Sequence, residues 1–235
     1  MVLRGRLARR HHSTGKAAVI ERPNLLQGED LPPEPRQQRS LEKRARLKEA
    51  GLACFGEKGY QASSIDDIAS RAELATGGFY LHFRSKRQLL AVLMDELLEK
   101  LSQLDLRPND LTDVRAALRD LLRHSFSHDL RYLGAYRAWQ EAVAADPALM
   151  KKNEEIHAWT TARVTALFKA LQHLPGARPE VDLAGLARVM DSFFWSLLAR
   201  AGQMPRAELN RSIDSSTHLI YHALFLDSSQ QRGTD

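Results

Sequence analysis

A single cysteine, Cys54, stands among 235 residues. One thiol excludes an internal disulfide and fits a reducing, cytoplasmic setting. No apolar run approaches the roughly 20 residues that a membrane-spanning helix needs, so no membrane partner is expected. The most apolar segment, residues 193–199, is short and lies between Arg188 and Arg200. Aromatic residues make up 7% of the chain and glycines number 13, which argues against both a β-sandwich and a repeat protein. Arg4, Arg6, Arg9 and Arg10 make the N-terminus basic, but no apolar stretch follows them, so no secretory leader is expected. Catalytic signatures are missing too: there is no Gly-rich phosphate loop, no zinc-type cysteine spacing and no nucleophile elbow. Neither an enzyme nor a cofactor is expected.

What the chain does have is helical periodicity. From Ser40 onward apolar residues recur at helical spacing, and no segment alternates as a strand would. The reading is all-α. A first helix over about 40–58 buries Leu47, Ala50, Cys54 and Phe55. A fourth begins at Ser85, a fitting N-cap, and runs to about Leu104 with Leu89, Leu90, Leu93, Leu97 and Leu101 as its apolar stripe. Pro108-Asn109-Asp110 breaks the pattern. Further helices are expected over about 113–128 and 130–145, then from Asp146-Pro147 to Pro175-Gly176, over 182–201, and over 206–226. Residues 1–39, with Pro23, Pro32, Pro33 and Pro35, have no period and read as a flexible basic arm; residues 229–235 read as a disordered tail.

The densest signal is Ser63 to Lys86, SSIDDIASRAELATGGFYLHFRSK. Ser63 and Ser64 can cap a short helix, and Asp67 three residues after Ser64 makes a capping box with a shorter acid. Ile65, Ile68, Ala69 and Ala72 share one helical face. A second short helix near Thr76–Tyr80 carries Gly77 and Gly78 on a bare, small-residue end, with Phe79 and Phe83 for a core. Two short helices joined by a tight turn are suited to lie against the major groove of DNA.

Upstream of this stretch stand Leu47, Ala50, Phe55, Gly59 and Tyr60; downstream stand Ser85-Lys86 and Leu89-Leu90. Together, from about Ser40 to about Leu93, these residues resemble the DNA-binding domain of the TetR family of bacterial transcriptional regulators. The resemblance implies a three-helix DNA-binding domain over 40–92, joined by a connecting helix to a helical ligand-binding and dimerisation domain over 93–228. It implies phosphate contacts from Ser63, Ser64, Tyr80, His82 and Lys86, and base or backbone contacts from Thr76, Gly77 and Gly78. Glu73 occupies the place where the family often has a turn glycine. There glutamate either costs about 1 kcal/mol of strain or the turn is built differently. The family often has a basic residue where Thr76 stands; threonine cannot make a bidentate contact to guanine, so DNA shape is expected to carry more of the selectivity. Lys43, Arg44 and Arg46 on the first helix either flank the phosphates or form a solvated face.

Charge is distributed in the same sense. Residues 1–90 hold 17 Lys/Arg against 10 Asp/Glu, whereas residues 91–235 hold 17 against 19. Positive charge collects in the half with the helix-turn-helix, as a phosphate-backbone partner requires.

In the body, the resemblance implies a small-molecule pocket, with Tyr132, Tyr136, Trp139 and His157 as candidate lining. It also implies a homodimer interface on the last two helices, with Phe194, Leu209, Ile213, Ile220 and Leu224 as candidates. The function expected is a ligand-responsive repressor, bound as a homodimer to a palindromic double-stranded DNA operator and released by a largely apolar effector. The alternatives are a DNA-binding regulator or architectural factor without an effector, an activator, and an all-α metalloenzyme. The last would use the i, i+4 pairs His124/His128 and His218/His222 with Asp129 or Asp214, but a stable site needs a third ligand that no motif supplies.

Overall fold

A computed structural model describes residues 20–104, 112–127 and 132–226. Among them are nine helices: α1 (Gln38–Ala62), α2 (Ile65–Arg71), α3 (Thr76–Tyr80), α4 (Lys86–Gln103), α5 (Val114–Ser127), α6 (Leu133–Val143), α7 (Pro147–Gln172), α8 (Leu183–Ala201) and α9 (Arg206–Leu224). Helices α1 to α3 form a small head, α4 leads out of it, and α5 to α9 make a larger body. The break at Pro108–Asp110 and the tail over 229–235 lie outside the described residues.

The helix starts follow local chemistry. Ser85 accepts from the Gln88 amide at 3.1 Å, Asp146 from Ala148 and Leu149 at 2.9 and 3.3 Å, and Asp182 from Gly185 at 2.9 Å. Each side chain occupies one of the amides that a helix leaves free in its first turn. At the other end of the chain α9 stops at Leu224 rather than Leu226, because Phe225 bridges to Ala177 and Leu226 donates to the Gly176 carbonyl at 3.0 Å.

The helical path of α1 breaks at Gly59, next to the expected end of helix one at about residue 58, and residues 60–62 add a short final turn. Gly59 adopts φ 80° and ψ 179°, a region open to glycine alone. The amides freed by the break, Tyr60 and Gln61, donate to the Glu141 carboxylate of α6 at 2.7 and 3.3 Å. Helix α6 is therefore the seat of the head. Its Gly134 approaches α1 so closely that a Cβ there would lie 2.6 Å from the Gly56 Cα. A continuous apolar core runs from Leu47, Phe55 and Phe83 in the head through Leu90 and Leu93 of α4 to Trp139 and Trp195 in the body. A second cluster gathers Leu118, Phe168, Leu171, Ile220 and Leu224 at the far end.

The segment ahead of α1 differs from a flexible arm. Residues 1–19 lie outside the described residues, but 20–37 pack along the protein. Leu25 is fully buried in the main core. Arg22 pairs with Asp95 of α4 at 2.8 Å, and Glu29 lies between Arg87 of α4 and Lys152 of α7 at 2.8 and 3.0 Å. An apolar anchor set among ion pairs compensates the entropy that a proline-rich leader would otherwise keep.

Candidate nucleic-acid interface and body cavity

Helix α2 begins with the capping box read from the sequence. The Asp67 amide donates to Ser64 Oγ at 3.0 Å, and the Ser64 amide donates back to the Asp67 carboxylate at 3.0 Å. Lys58 adds an ion pair at 2.8 Å, and these bonds hold the Asp67 carboxyl far below its ordinary range. Ile68, Ala69 and Ala72 are buried against the head core. Glu73 takes φ 55°, the sole non-glycine positive φ among the described residues. The turn is therefore built in the usual left-handed way and the glutamate bears the strain; its carboxylate reaches Arg46 at 3.3 Å.

Helix α3 is a single turn seated on Phe79 and Phe83, both fully buried, with rings 5.7 Å apart. Its outer face is open. No atom lies within 4 Å of where a Cβ on Gly77 would stand. Thr76 is exposed and its hydroxyl donates to Asp66 of α2 at 2.6 Å. Tyr80 is 50% exposed and Leu81 73%, so an aromatic and an aliphatic side chain stand out from the surface formed by the described residues. Lys43, Arg46 and Arg84 are exposed basic residues of the same head.

Three residues expected at the phosphates are turned inward. Ser63 is buried, and its hydroxyl donates to the Cys54 and Gly59 carbonyls at 3.1 and 2.6 Å, closing the end of α1. Lys86 gives its ammonium to the Tyr60 and Ser63 carbonyls at 2.6 and 2.7 Å and lies 4.4 Å from the Tyr60 ring centroid. Burial lowers its pKa. His82 is 3% exposed, and its Nδ1 has no hydrogen-bond partner among the described residues. Burial, with Arg44 and Lys43 nearby, lowers its pKa and keeps it neutral. Arg44 also belongs to the framework, donating to the His82 carbonyl at 3.0 Å and stacking on Phe83. The open positions are thus Ser64, Thr76, Gly77 and Tyr80, with Gly78 half-buried beside Leu74. Leu81 and Arg84 join them. They were missed in the sequence, although Leu81 falls outside the i, i+4 spacing that buries Phe79 and Phe83.

A cavity of about 120 Å³ lies in the body between α5, α7, α8 and α9, bordered by the last turn of α4. Its walls are mostly apolar, with Leu118, Leu122, Phe126, Phe168, Met190 and Phe194 among them. Two charged residues border it. Asp191 is buried and accepts from Thr160, from Trp195 Nε1 at 3.1 Å and from His157 Nδ1 at 2.7 Å. Arg163 donates to the carbonyls of Leu101 and Leu104 at 2.6 and 2.7 Å, so a cavity wall residue holds the C-terminal end of α4. Of the expected lining, Tyr132, Tyr136 and Trp139 are buried in the main core instead. Tyr136 stacks on Trp195 with centroids 4.7 Å apart, and His157 stands behind Asp191 rather than on the wall.

The expected dimer residues are corrected in the same way. Ile213, Ile220 and Leu224 are 2, 6 and 1% exposed and are sealed within the protomer. Leu209 packs partly against the main core, and Phe194 faces the cavity and Phe126. Exposed apolar residues on α8 and α9 are Val189, Phe193 and Leu219. Asp214 pairs with Arg119 at 2.7 Å, and the His218 and His222 rings lie 4.2 Å apart. His128 and Asp129 lie outside the described residues. No cluster of three or more metal-ligating side chains occurs among the described residues, and no helix there is long and apolar enough to cross a membrane.

A three-helix head with a helix-turn-helix, carried by α4 on a helical body with a cavity, is an arrangement suited to lie in the major groove of DNA. The model for "Bacterial regulatory proteins, tetR family" matches residues 47–93. The Tn10 TetC protein of Escherichia coli is 40% identical over 70 residues, 30% of this chain and 36% of TetC. The chain thus spans about a third of that relative's length. The HTH-type regulator BetI of Yersinia pestis (strain Pestoides F) is 27% identical over 167 residues, covering 68% of this chain and 83% of BetI. Among solved structures the SmeT–triclosan complex superimposes with a TM-score of 0.62 at 23% identity, over 79% of this chain and 93% of SmeT. Residues 47–93 thus match the TetR family's DNA-binding domain, and the chain over most of its length is similar to regulators of that family.

Proposed function

We propose that the protein is a repressor that binds a palindromic operator as a homodimer and is released by a small, largely apolar molecule. Residues 40–92 are the DNA-binding domain and residues 93–228 the effector-binding and dimerisation domain. The observation that carries the reading is Arg163, which borders the body cavity and at the same time holds the last turn of α4, the helix that begins at the DNA-facing turn. A ligand that enters the cavity and shifts Arg163 moves α4, and with it the head. That one structural neighbour was solved as a triclosan complex supports an effector in this body.

Thr76, Gly77, Tyr80 and Leu81 face the groove in this reading. Tyr80 gives its hydroxyl to a phosphate, and the Leu81 methyls meet a base edge, where apolar contact favours thymine. Val189, Phe193 and Leu219 meet their counterparts in a second copy, since a two-fold dimer places two heads on the two halves of a palindrome. To turn 99% occupancy of one state into 1%, an effector must prefer the released state by about 5.5 kcal/mol.

The test is a library of apolar small molecules scored for two effects together, thermal stabilisation and release of bound DNA. A compound with both effects should lose the second in Arg163→Met while still binding. Retained release in that variant would show that the signal does not pass through Arg163.

A further inference from the structure

The segment ahead of α1 touches both α4, which leads out of the head, and α7 of the body. Starting from residue 20, the Ile20 carbonyl accepts from Trp159 Nε1 of α7 at 3.3 Å. Arg22 then grips α4 through Asp95 and Glu99, each at 2.8 Å. Leu25 enters the core, and its carbonyl accepts from Lys152 of α7. Glu29 bonds Arg87 of α4 at 2.8 and 2.9 Å and Lys152 of α7 at 3.0 Å. Finally the Asp30 carbonyl accepts from Gln88 at 3.0 Å, and its carboxylate pairs with Arg84 at 2.8 Å, in the turn between α3 and α4.

These ties are not surface decoration. The side chains of Glu29, Asp95 and Lys152 are 10, 14 and 15% exposed. Pairs at such depth are costly to break, because the partner left behind is a desolvated charge. Helix α4 packs on α1 and α6, and its N-terminal half is also tied to α7 by this segment and by Arg87, which bonds the α7 cap Asp146 at 2.6 Å.

We infer that residues 20–36 are a positioning strap, centred on Glu29, that fixes the angle of α4 and so holds the head on the body in one orientation for DNA. The inference rests on the regulator reading for its purpose, but not for its geometry. A head held at one angle loses less freedom on binding than one that swings. The strap therefore tightens operator binding without touching a base, and an effector that tilts α4 works against it.

The test pairs a DNA-free measurement with a DNA-binding one. Spin labels at Ser70→Cys in α2 and Glu155→Cys in α7, in full-length protein diluted into unlabelled chain, report head-to-body distance by pulsed electron resonance. Arg22→Gln with Glu29→Gln should broaden that distribution and weaken operator binding at least fivefold. Glu34→Gln, an exposed strap acid outside these pairs, matches the charge change of the single Glu29→Gln and should leave the distance distribution unchanged. An unchanged distribution in the strap variant overturns the inference. If the distribution broadens while the unsubstituted protein binds no DNA specifically, the strap stands and the regulator reading falls. Should the double substitution unfold the protein, the single Glu29→Gln is read by the same two measures.

Discussion

Lys86 shows how far residue type and residue role can part. It stands at the start of α4, where a lysine suits a phosphate, yet its ammonium serves two carbonyls of the α1–α2 connection. Hydrogen bonds to a charged group contribute about 1.5–3 kcal/mol each way, so Lys86→Met should destabilise the fold by about 2 kcal/mol in urea titrations. The salt dependence of DNA binding should change by much less than the slope of about one that a lost phosphate contact would remove. Ser63 is inward because its hydroxyl finds two carbonyls at the kinked end of α1, and His82 because the turn after α3 buries it with Phe83 in the head. The capping box at Ser64 was legible because both partners lie three residues apart. The direction of Lys86 was not, because its partners follow from the Gly59 kink 27 positions away. His82 carries a pH signature. Its folded pKa lies below the ordinary 6.5, so the unfolded chain takes up the proton first as pH falls. Stability should decline from about pH 6.5 down to the depressed value and be level above it. Urea midpoints at pH 7.5 and 5.5 should differ less in His82→Gln than in the unsubstituted protein; an equal difference would remove His82 as the source.

At the scale of elements, caps and breakers located most helices to within a few residues, since proline, aspartate and serine act locally. What lay beyond local reading was which helix faces enclose space. Tyr132, Tyr136 and Trp139 have the composition of a pocket wall but lie in the main core, where Tyr132 bonds Glu96 of α4, Trp139 bonds Asn153 of α7 and Tyr136 stacks on Trp195 of α8. The cavity opens instead where α5, α7, α8 and α9 fail to close around Phe126, Phe168 and Phe194. No spacing within one helix reports a gap among five. The α2–α3 turn gives an element-scale prediction. Glu73 holds φ 55°, a conformation glycine adopts without a Cβ penalty. Glu73→Gly should stabilise the head by about 1 kcal/mol and also strengthen DNA binding by removing a negative charge from that face. Lower stability would mean that the exposed pair with Arg46 outweighs the strain.

For the whole molecule, the charge asymmetry and the run of helices were evident from the chain, whereas the apolar surface left for the proposed second copy was not. Apolar spacing on α9 pointed to Ile213, Ile220 and Leu224, but periodicity marks the face buried most deeply, and here that face meets the protomer's own core. The faces left for a second copy carry Val189, Phe193 and Leu219. Phe193→Glu with Leu219→Glu should yield a folded monomer by light scattering, with operator affinity reduced at least tenfold; a persisting dimer would place the interface elsewhere. The central claim concerns the head. Its most direct test is fluorescence anisotropy of the purified protein on the DNA upstream of its own gene, against a scrambled duplex, across a salt series. The account predicts tight binding that depends on the palindrome and weakens steeply with salt. Equal, weak binding to both duplexes, and to any duplex selected from random DNA, would contradict it.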